Sequence, residues 1–246
     1  MGNVPEIIHY CWFGRGRKSR EIQSYIKGWK KKLPSYEFME WNEDTFEYEK
    51  IPFAAEAYQQ KKYAFVSDVA RVYALYHYGG VYLDTDVEIL RDFSELCKEG
   101  SLILGFEYGG KNLMTAFLAS IPHHPVIGEM LSYYHQHLFT ISKENYYSIA
   151  NTYLLTDLLR KKGLCLNNKQ QSLEDGILVF PEEYFSAYEL RYEKNLRGSN
   201  TYTVHHFSAS WMPLDIRMKK QIKKLLSRLL GADNFRKLLS GRQNVR

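Results

Sequence analysis

The chain alternates between short apolar runs and longer segments with helical periodicity. Residues 6–13 form an apolar run that Gly14 stops, which predicts a strand. Ser19 is then a candidate helix N-cap, and apolar residues recur at helical spacing until Pro34. Residues 36–41 are predicted to form a second strand. Together these segments predict a β-α-β unit, the opening of a parallel sheet with helices on its faces.

The rest of the chain continues this alternation of helices and strands. Residues 53–78 carry a helical stripe in one or two pieces, and Gly79 with Gly80 ends it. Further helices are predicted to begin near Asn112 and to cover residues 143–162. Further strands are predicted at residues 81–90, 102–106, 177–180 and 201–206. The predicted fold class is therefore α/β.

An Asp-x-Asp pair, Asp84 and Asp86, lies within the apolar run 81–90. In a strand, side chains at i and i+2 share a face, so the two carboxylates would repel each other unless a cation neutralised them. Paired oxygen ligands without thiolates suit Mg²⁺ or Mn²⁺. Because the chain has nine Asp, the bare motif is weak evidence. A turn or strand end with both carboxylates in water stays open as the alternative.

Two further groups of residues would have a functional role only if the fold brings them close to Asp84 and Asp86. Asp68 and Arg71 are neighbours at i, i+3 of the predicted helix. They form either an exposed ion pair of little consequence or, if the two glycines fold the helix back, part of the Asp84 pocket. The predicted strand 201–206 ends in His205 and His206, and a histidine there is either a polar strand end or, if the sheet brings it beside Asp86, a cation ligand.

Length and composition fit one large globular domain with a separate charged tail. The chain has 246 residues, 45% hydrophobic and 25% charged, with a net charge of +5. Residues 217–246 contain ten Lys or Arg and one Asp, a charge of +9, which leaves −4 for residues 1–216. We predict a main domain at residues 1–214 and a basic amphipathic helical segment at residues 215–246. This segment suits an anionic membrane surface or docks on its own domain.

Several classes of protein are disfavoured by the sequence. Residues 1–12 do not resemble a signal peptide, and no apolar run reaches membrane-spanning length. Three widely spaced cysteines without a Cys-x-x-Cys argue against a disulfide framework and for a reducing cytoplasm. No nucleic-acid-binding motif is present, so nucleic acid is not an expected partner. The expected location is cytoplasmic, with peripheral attachment to the inner face of the plasma membrane as an extension.

Four segments occur in an order that is more specific than any one of them. They are residues 7–14 (Ile-Ile-His-Tyr-Cys-Trp-Phe-Gly), residues 67–71 (Ser-Asp-Val-Ala-Arg), residues 82–86 (Tyr-Leu-Asp-Thr-Asp), and His205-His206 with Ser210-Trp211. The chain thereby resembles the family 32 glycosyltransferases, which include bacterial capsular polysaccharide transferases and fungal mannosyltransferases. It is more distantly similar to the catalytic domain of the large clostridial glucosylating toxins. The resemblance covers residues 4–130 and returns at residues 205–211.

The resemblance implies a GT-A fold, an α/β nucleotide-sugar-binding sandwich with a mainly parallel central sheet. It implies that Trp12 stacks on the nucleotide base. The residues implied to hold or flank the donor sugar are Asp68, Arg71 and Tyr82. It implies that Asp84 contacts the ribose and reaches the metal, Mn²⁺ or Mg²⁺, through a water molecule. Asp86 would bind the metal directly, and His205 or His206 would be a further ligand.

The remaining implied contacts involve the donor and its diphosphate. Asn112 resembles a family asparagine near the donor. Ser210 and Trp211 would contact the diphosphate, although the toxins have Ser-x-Trp, so Ser208 is the alternative to Ser210.

The function implied is a metal-dependent, retaining glycosyl transfer from a nucleotide-sugar, with a UDP-sugar as the expected donor. The acceptor would be a saccharide or lipid-linked saccharide, as in bacterial surface polysaccharide synthesis. A haloacid-dehalogenase-like phosphatase with Asp84 as nucleophile is one alternative. A non-enzymatic carbohydrate- or membrane-binding module, suggested by 20 Tyr and the basic tail, is the other.

Overall fold

The computed structural model describes residues 3–140, 150–189, 194–195, 197–208 and 230–231. The helices are α1 (Arg20–Lys32), α2 (Pro52–Gln59), α3 (Tyr63–Tyr78), α4 (Pro125–Gln136), α5 (Asn151–Lys161) and α6 (Glu182–Phe185). The strands are β1 (Ile7–Cys11), β2 (Glu37–Trp41), β3 (Gly80–Leu83), β4 (Val87–Ile89), β5 (Leu102–Glu107), β6 (Asn112–Leu113), β7 (Phe117–Ser120), β8 (Gln171–Leu173), β9 (Ile177–Phe180), β10 (Tyr188–Glu189), β11 (Lys194–Asn195) and β12 (Thr203–His205).

The described strands build one large sheet in the order β2-β1-β3-β7-β5-β9-β8, with β6 paired to β5. β1 is parallel to β2 and β3, and β5 is parallel to β9. β7 is antiparallel to both β3 and β5, so the two parallel groups run in the same direction. Most strands of the sheet therefore share one direction, as predicted, although the sheet is mixed. A separate small sheet pairs β12 with β4 antiparallel.

The predicted β-α-β unit at the start of the chain is confirmed. The Ser19 side chain accepts a hydrogen bond from the Ile22 amide at 3.3 Å and so caps α1. The chain then returns in β2, which pairs in parallel with β1. Trp29 is fully buried on the inner face of α1, and its Nε1 donates to the Val87 carbonyl at 2.8 Å. α1 thus covers one face of the sheet and is fastened to the start of β4.

Helices cover both faces of the sheet, so its central strands are buried on both sides. Along β5, Leu104 and Phe106 pack in one core cluster with residues of α2 to α5. Ile103 points the other way, into a second cluster with Trp29 of α1 and Phe185 of α6. Each such side chain contributes about 1.5–3 kcal/mol by leaving water. This double burial explains why the strands read as continuous apolar runs.

The predicted helix stop at the two glycines is confirmed and has a steric cause. Gly79 ends α3 with φ +65°, and Gly80 begins β3 with φ +93°. A Cβ on Gly80 would lie 2.6 Å from the Ile7 carbonyl oxygen. The ring Nε2 of His9 donates to the Gly79 carbonyl at 2.8 Å, and its Nδ1 accepts from Trp41 Nε1 at 3.1 Å. The reversal therefore needs glycine and is held by a buried histidine.

One predicted helix is wrong, and two predictions lie outside the described residues. The apolar segment from Asn112 forms β6 and β7, and the next helix, α4, begins at Pro125. Residues 113–120 are buried on both faces, so their pattern lacks the period that separates strand from helix. The first part of the predicted helix 143–162, residues 143–149, lies outside the described residues. So does the predicted basic segment 215–246, apart from Leu230 and Gly231. No described helix has the length and apolar character of a membrane span.

Candidate active site

The glycine reversal brings Arg71 of α3 opposite Asp84. From Arg71 to Gly79 the helix advances about 12 Å at 1.5 Å per residue. From Gly80 to Asp84 the chain returns about 13 Å at 3.3 Å per residue. Because the two distances match, the side chain of Arg71 lies beside that of Asp84. The two residues are 13 positions apart in sequence and 2.9 Å apart, from a guanidinium nitrogen to Oδ1.

Arg71 is a buried cation whose two terminal nitrogens contact several polar groups. The nitrogen nearest Asp84 also lies 3.4 Å from Asp68 Oδ1, and the other terminal nitrogen donates to the Thr115 carbonyl at 2.7 Å. The guanidinium lies 4.3 Å from the ring centre of Tyr82, whose hydroxyl donates to Asp84 Oδ1 at 3.0 Å. The pair of Asp68 and Arg71 is thus buried in the Asp84 pocket, the second of the two possibilities left by the sequence.

This burial changes the acid-base properties of the pair. Burial raises the pKa of Asp68 to about 6, against the opposing effect of Arg71. Burial would lower the pKa of Arg71, but Asp84, Tyr82 and Asp68 together outweigh burial and raise that pKa above its ordinary value. Asn151 of α5 contacts Asp68 as well, through an Nδ2 hydrogen bond to its carbonyl at 3.0 Å. Asp68 is therefore a buried acid whose pKa lies above its ordinary value.

The Asp-x-Asp segment is a turn, so the prediction that it lies within a strand is wrong. β3 ends at Leu83 and β4 begins at Val87. The Val87 amide donates to the Asp84 carbonyl at 2.9 Å, and the Asp84 amide donates to the Ala116 carbonyl at 2.9 Å. Asp84 and Asp86 therefore project from the carboxyl end of β3, where ligands bind in open α/β sheets.

Each of the two carboxylates has one oxygen fixed by the protein and one directed at His205. Asp84 Oδ1 accepts from Arg71 and Tyr82, whereas its Oδ2 lies 4.0 Å from His205 Nε2. Asp86 Oδ2 accepts from the Ser208 amide at 2.6 Å, whereas its Oδ1 lies 3.4 Å from the same Nε2. Asp84, Asp86 and His205 each offer a ligand atom, and these atoms lie within 4.8 Å of one another. All three side chains are less than a third exposed.

The small β4–β12 sheet decides which of two adjacent histidines faces the carboxylates. His205 pairs with Val87 in this sheet, immediately after the turn. The His206 amide donates to the Asp86 carbonyl at 3.0 Å, but its ring turns away and Nε2 lies 2.9 Å from Glu88 Oε2. The His206 ring also stacks on Tyr25 of α1, with centres 5.0 Å apart. Of the two predicted ligands, the structure brings His205 to the aspartates and places His206 against Glu88.

The charges at this cluster fit a divalent cation. Burial favours a neutral Asp86, but His205 and the Ser208 amide outweigh it and lower the pKa of Asp86. Burial favours a neutral His205, yet Asp86 and Glu107 raise the pKa of the imidazole. The extra proton on His205 thus neutralises the carboxylates, a task that a cation bound at Nε2 would take over. Two carboxylate oxygens and one imidazole are an acceptable donor set for Mn²⁺ or Mg²⁺.

Two acidic residues beside this cluster were not singled out in the sequence. Glu107, at the end of β5, contacts His205 Nδ1 at 3.4 Å. Glu88, in β4, contacts both His206 and Arg197 at 2.9 Å. The sequence does mark Glu107, as an acid at the end of the apolar strand 102–107. It does not reveal the contact with His205, because the two residues are 98 positions apart.

The other predicted donor-binding residues lie near the same edge of the sheet or outside the described residues. Trp12 follows β1 and is half-buried, with its Nε1 donating to the Gly16 carbonyl at 2.6 Å. Asn112, at the start of β6, pairs with Glu107 in register. Ser208 is described and contacts Asp86 through its amide. Ser210 and Trp211 lie outside the described residues.

Comparison with known proteins finds a match to the segment that carries the two aspartates of this site. Residues 19–102 match the family model of the glycosyltransferase sugar-binding region containing DXD motif. The chain is 27% identical to mannosyl phosphorylinositol ceramide synthase CSH1 of Saccharomyces cerevisiae over 130 residues, 50% of this chain and 33% of that protein. It is 33% identical to inositol phosphoceramide mannosyltransferase 3 of Schizosaccharomyces pombe over 101 residues, 38% of this chain and 27% of that protein. The chain thus spans about a third or less of the length of these relatives.

A solved structure supports the fold. The chain superposes on PaToxG glycosyltransferase with a TM-score of 0.53 and 19% identity, over 65% of this chain and 70% of that one. At this identity the likeness concerns the fold alone, and it confirms the predicted α/β fold of GT-A type. Asp84 and Asp86 lie within the matched residues 19–102. Residues 19–102 are therefore similar to the glycosyltransferase sugar-binding region containing DXD motif, in agreement with the resemblance read from the sequence.

Proposed function

We propose that this chain is a metal-dependent glycosyltransferase that moves a sugar from a nucleotide-sugar to a saccharide or lipid-linked acceptor. The observation that carries the proposal is the convergence of Asp84 Oδ2 and Asp86 Oδ1 on His205 Nε2 at the carboxyl end of β3. The match of residues 19–102 to the sugar-binding region supports it independently of this geometry.

In this proposal Asp84, Asp86 and His205 hold Mn²⁺ or Mg²⁺. The bound cation supplies charge neutralisation for the diphosphate that leaves with the nucleotide. Arg71 and Tyr82 orient Asp84 through its Oδ1, so that Oδ2 stays directed at the cation site. The fixed carboxylates need no rearrangement when the donor binds, which is the condition for effective electrostatic stabilisation.

Donor recognition is assigned to residues around this centre. Asp68, with Arg71, holds hydroxyl groups of the sugar, because its carboxylate lies on the Arg71 side of the pocket and is 15% exposed. Trp12 stacks on the base, and Asn112 contacts the donor from β6. Ser208 or Ser210, with Trp211, contacts the diphosphate.

We propose that transfer retains the anomeric configuration. The acceptor hydroxyl would attack the anomeric carbon on the face from which the nucleotide leaves. As the carbon–oxygen bond to the diphosphate breaks, a leaving phosphate oxygen would take the hydroxyl proton. NMR of the product tests this assignment, and a product of inverted configuration would contradict it.

The donor and acceptor classes extend the same proposal. One of these relatives is named an inositol phosphoceramide mannosyltransferase, and the other is named a mannosyl phosphorylinositol ceramide synthase. We therefore propose a hexose donor, linked to UDP or GDP, and an acceptor presented at a membrane surface or on a polysaccharide. The basic segment 215–246, with its many Lys and Arg, would attach the cytoplasmic protein to anionic lipid. Bacterial surface polysaccharide synthesis is one setting that fits this acceptor class.

A nucleotide-release screen tests the proposal. The full chain is incubated with UDP- and GDP-hexoses, with and without Mn²⁺, and released nucleotide is measured. We expect release from one donor, at least tenfold faster with Mn²⁺ and abolished by Asp86→Ala. Phosphate release from a monoester without any acceptor would instead indicate the phosphatase alternative. Sugar binding without metal or turnover would indicate a binding module.

A further inference from the structure

Glu107 is a buried carboxylate at the end of β5, a strand whose other residues are apolar or Gly. Its side chain is 7% exposed. A carboxylate in such a place destabilises the fold unless a cation or hydrogen-bond donor lies against it. In the part of the chain that the structure describes, the imidazole of His205 lies against Glu107, with Nδ1 3.4 Å from Oε1.

The two ring nitrogens of His205 face opposite groups. Nδ1 faces Glu107, whereas Nε2 faces Asp86 at 3.4 Å and Asp84 at 4.0 Å. Glu107 therefore lies behind the imidazole as seen from the two aspartates.

The positions of Glu107 and His205 are set by the two strands that carry them, β5 and β12. Ile103 and Glu107 share a face of β5, the face that looks toward the second core cluster and the small β4–β12 sheet. β12 is tied to this region because Thr203 Oγ1 donates to the Phe185 carbonyl at 2.7 Å. Since His205 ends β12 and Glu107 ends β5, the two side chains meet at one edge.

A histidine that binds a cation must be neutral, with a lone pair on the ligating nitrogen. If Nδ1 keeps the proton, the lone pair lies on Nε2 and points at the aspartates. An acceptor at Nδ1 fixes this tautomer, fixes the ring orientation and makes Nε2 more basic. Glu107 is the acceptor in position to do so.

Resting on the function proposed above, we propose that Glu107 is a positioning residue for the cation site. It holds His205 in the Nδ1-protonated tautomer with Nε2 directed at Asp84 and Asp86. Glu107 itself does not bind the cation.

The test is the affinity of the full chain for Mn²⁺, measured from the signal of free Mn²⁺ in electron paramagnetic resonance. Glu107→Leu removes the acceptor, and we expect the Mn²⁺ affinity to fall about 10- to 100-fold, the usual effect of losing such a partner. Glu107→Gln keeps an acceptor oxygen, and we expect a smaller loss, about threefold to tenfold. Thermal unfolding verifies that each variant folds, and the nearly isosteric Gln variant carries the test if the Leu variant does not.

Glu182→Gln is the matched control, because Glu182 is equally buried and accepts a hydrogen bond from the Gly109 amide at 2.8 Å. We expect its Mn²⁺ affinity to stay within about twofold of the wild type. The role of Glu107 would be overturned if the folded Glu107 variants kept the wild-type Mn²⁺ affinity, or if Glu182→Gln lost as much affinity as they do. Either result would leave the proposed function standing. A wild-type chain that binds no Mn²⁺ would overturn the proposed function itself.

Discussion

Arg71 lies 2.9 Å from Oδ1 of Asp84, and this buried ion pair joins α3 to the turn that carries both aspartates. The contact occupies one oxygen of Asp84 with a fixed positive charge and leaves Oδ2 facing His205. It also lowers the repulsion between Asp84 and Asp86, since one of the two negative charges has a permanent partner. The pair therefore connects the stability of the fold to the geometry of the cation site.

Replacing Arg71 tests this connection. A lysine ammonium cannot contact Asp84, Tyr82 and the Thr115 carbonyl together, because it lacks the planar fork of the guanidinium. We expect Arg71→Lys to lower the free energy of unfolding by about 2 kcal/mol and Arg71→Met by about 3–5 kcal/mol, since Met leaves the carboxylates of Asp68 and Asp84 without their shared cation. Chemical denaturation measures both values.

Arg15 provides the control, because its ion pair with Asp44, at 2.8 Å, is exposed. We expect Arg15→Lys to unfold like the wild type. Equal effects of the lysine substitutions at residues 15 and 71 would contradict a special role of the buried pair.

The hydroxyl of Tyr82 provides a second, smaller test. Tyr82→Phe keeps the ring beneath Arg71 and removes the hydroxyl, with its hydrogen bond to Asp84 Oδ1 and its longer contact with Arg71. We expect a loss of about 1 kcal/mol in unfolding free energy and a several-fold loss of Mn²⁺ affinity. Denaturation and Mn²⁺ titration measure the two effects. A variant with full stability and full affinity would show that the hydroxyl does not hold Asp84.

Asp68 predicts a pH dependence of stability. Its pKa rises from the ordinary 3.8 to about 6 in the fold, so between these values the folded state binds more protons than the unfolded state. The contribution of Asp68 to stability is therefore greatest below pH 4 and falls as the pH rises to 6, by up to about 3 kcal/mol.

Asp68→Asn removes this titration. We expect the wild type to lose stability relative to Asp68→Asn as the pH rises from 4 to 6, and the difference to be constant above pH 7. Denaturant titrations across this range measure the difference. A difference that does not vary with pH would contradict the raised pKa of Asp68.

The reversal at Gly80 predicts a severe effect of a single methyl group. Gly80→Ala combines φ +93° with a Cβ 2.6 Å from the Ile7 carbonyl oxygen. We expect a loss of about 3 kcal/mol or more in unfolding free energy. Gly109 has φ +68° but open space around its Cβ position, so Gly109→Ala should cost only about 1 kcal/mol. Similar losses at the two glycines would mean that the close approach to Ile7 does not matter.

Local sequence signals predict much of the fold correctly. The Ser19 cap, the stop at Gly79 and the first β-α-β unit all depend on interactions within a few residues. The segment from Asn112 was misread as a helix because a strand buried on both faces has no polar positions to mark its period.

The candidate site is harder to predict, because its contacts join distant parts of the chain. The approach of Asp68 and Arg71 to Asp84 was one of two open alternatives, and the glycine reversal decides it. His205 meets Asp86 only because β12 pairs with β4, and no local pattern encodes that pairing. Glu107 was missed for the same reason, since its partner lies 98 positions away. The only trace of Glu107 in the sequence is an acid at the end of an apolar strand.

The account depends on one cation lying among Asp84, Asp86 and His205. The most direct measurement is an anomalous-difference map from a crystal grown with Mn²⁺ and a nucleoside diphosphate. We predict one strong peak within coordination distance of Asp84 Oδ2, Asp86 Oδ1 and His205 Nε2, with the diphosphate beside it. A map with both nucleotide and Mn²⁺ bound away from these three atoms would contradict the account.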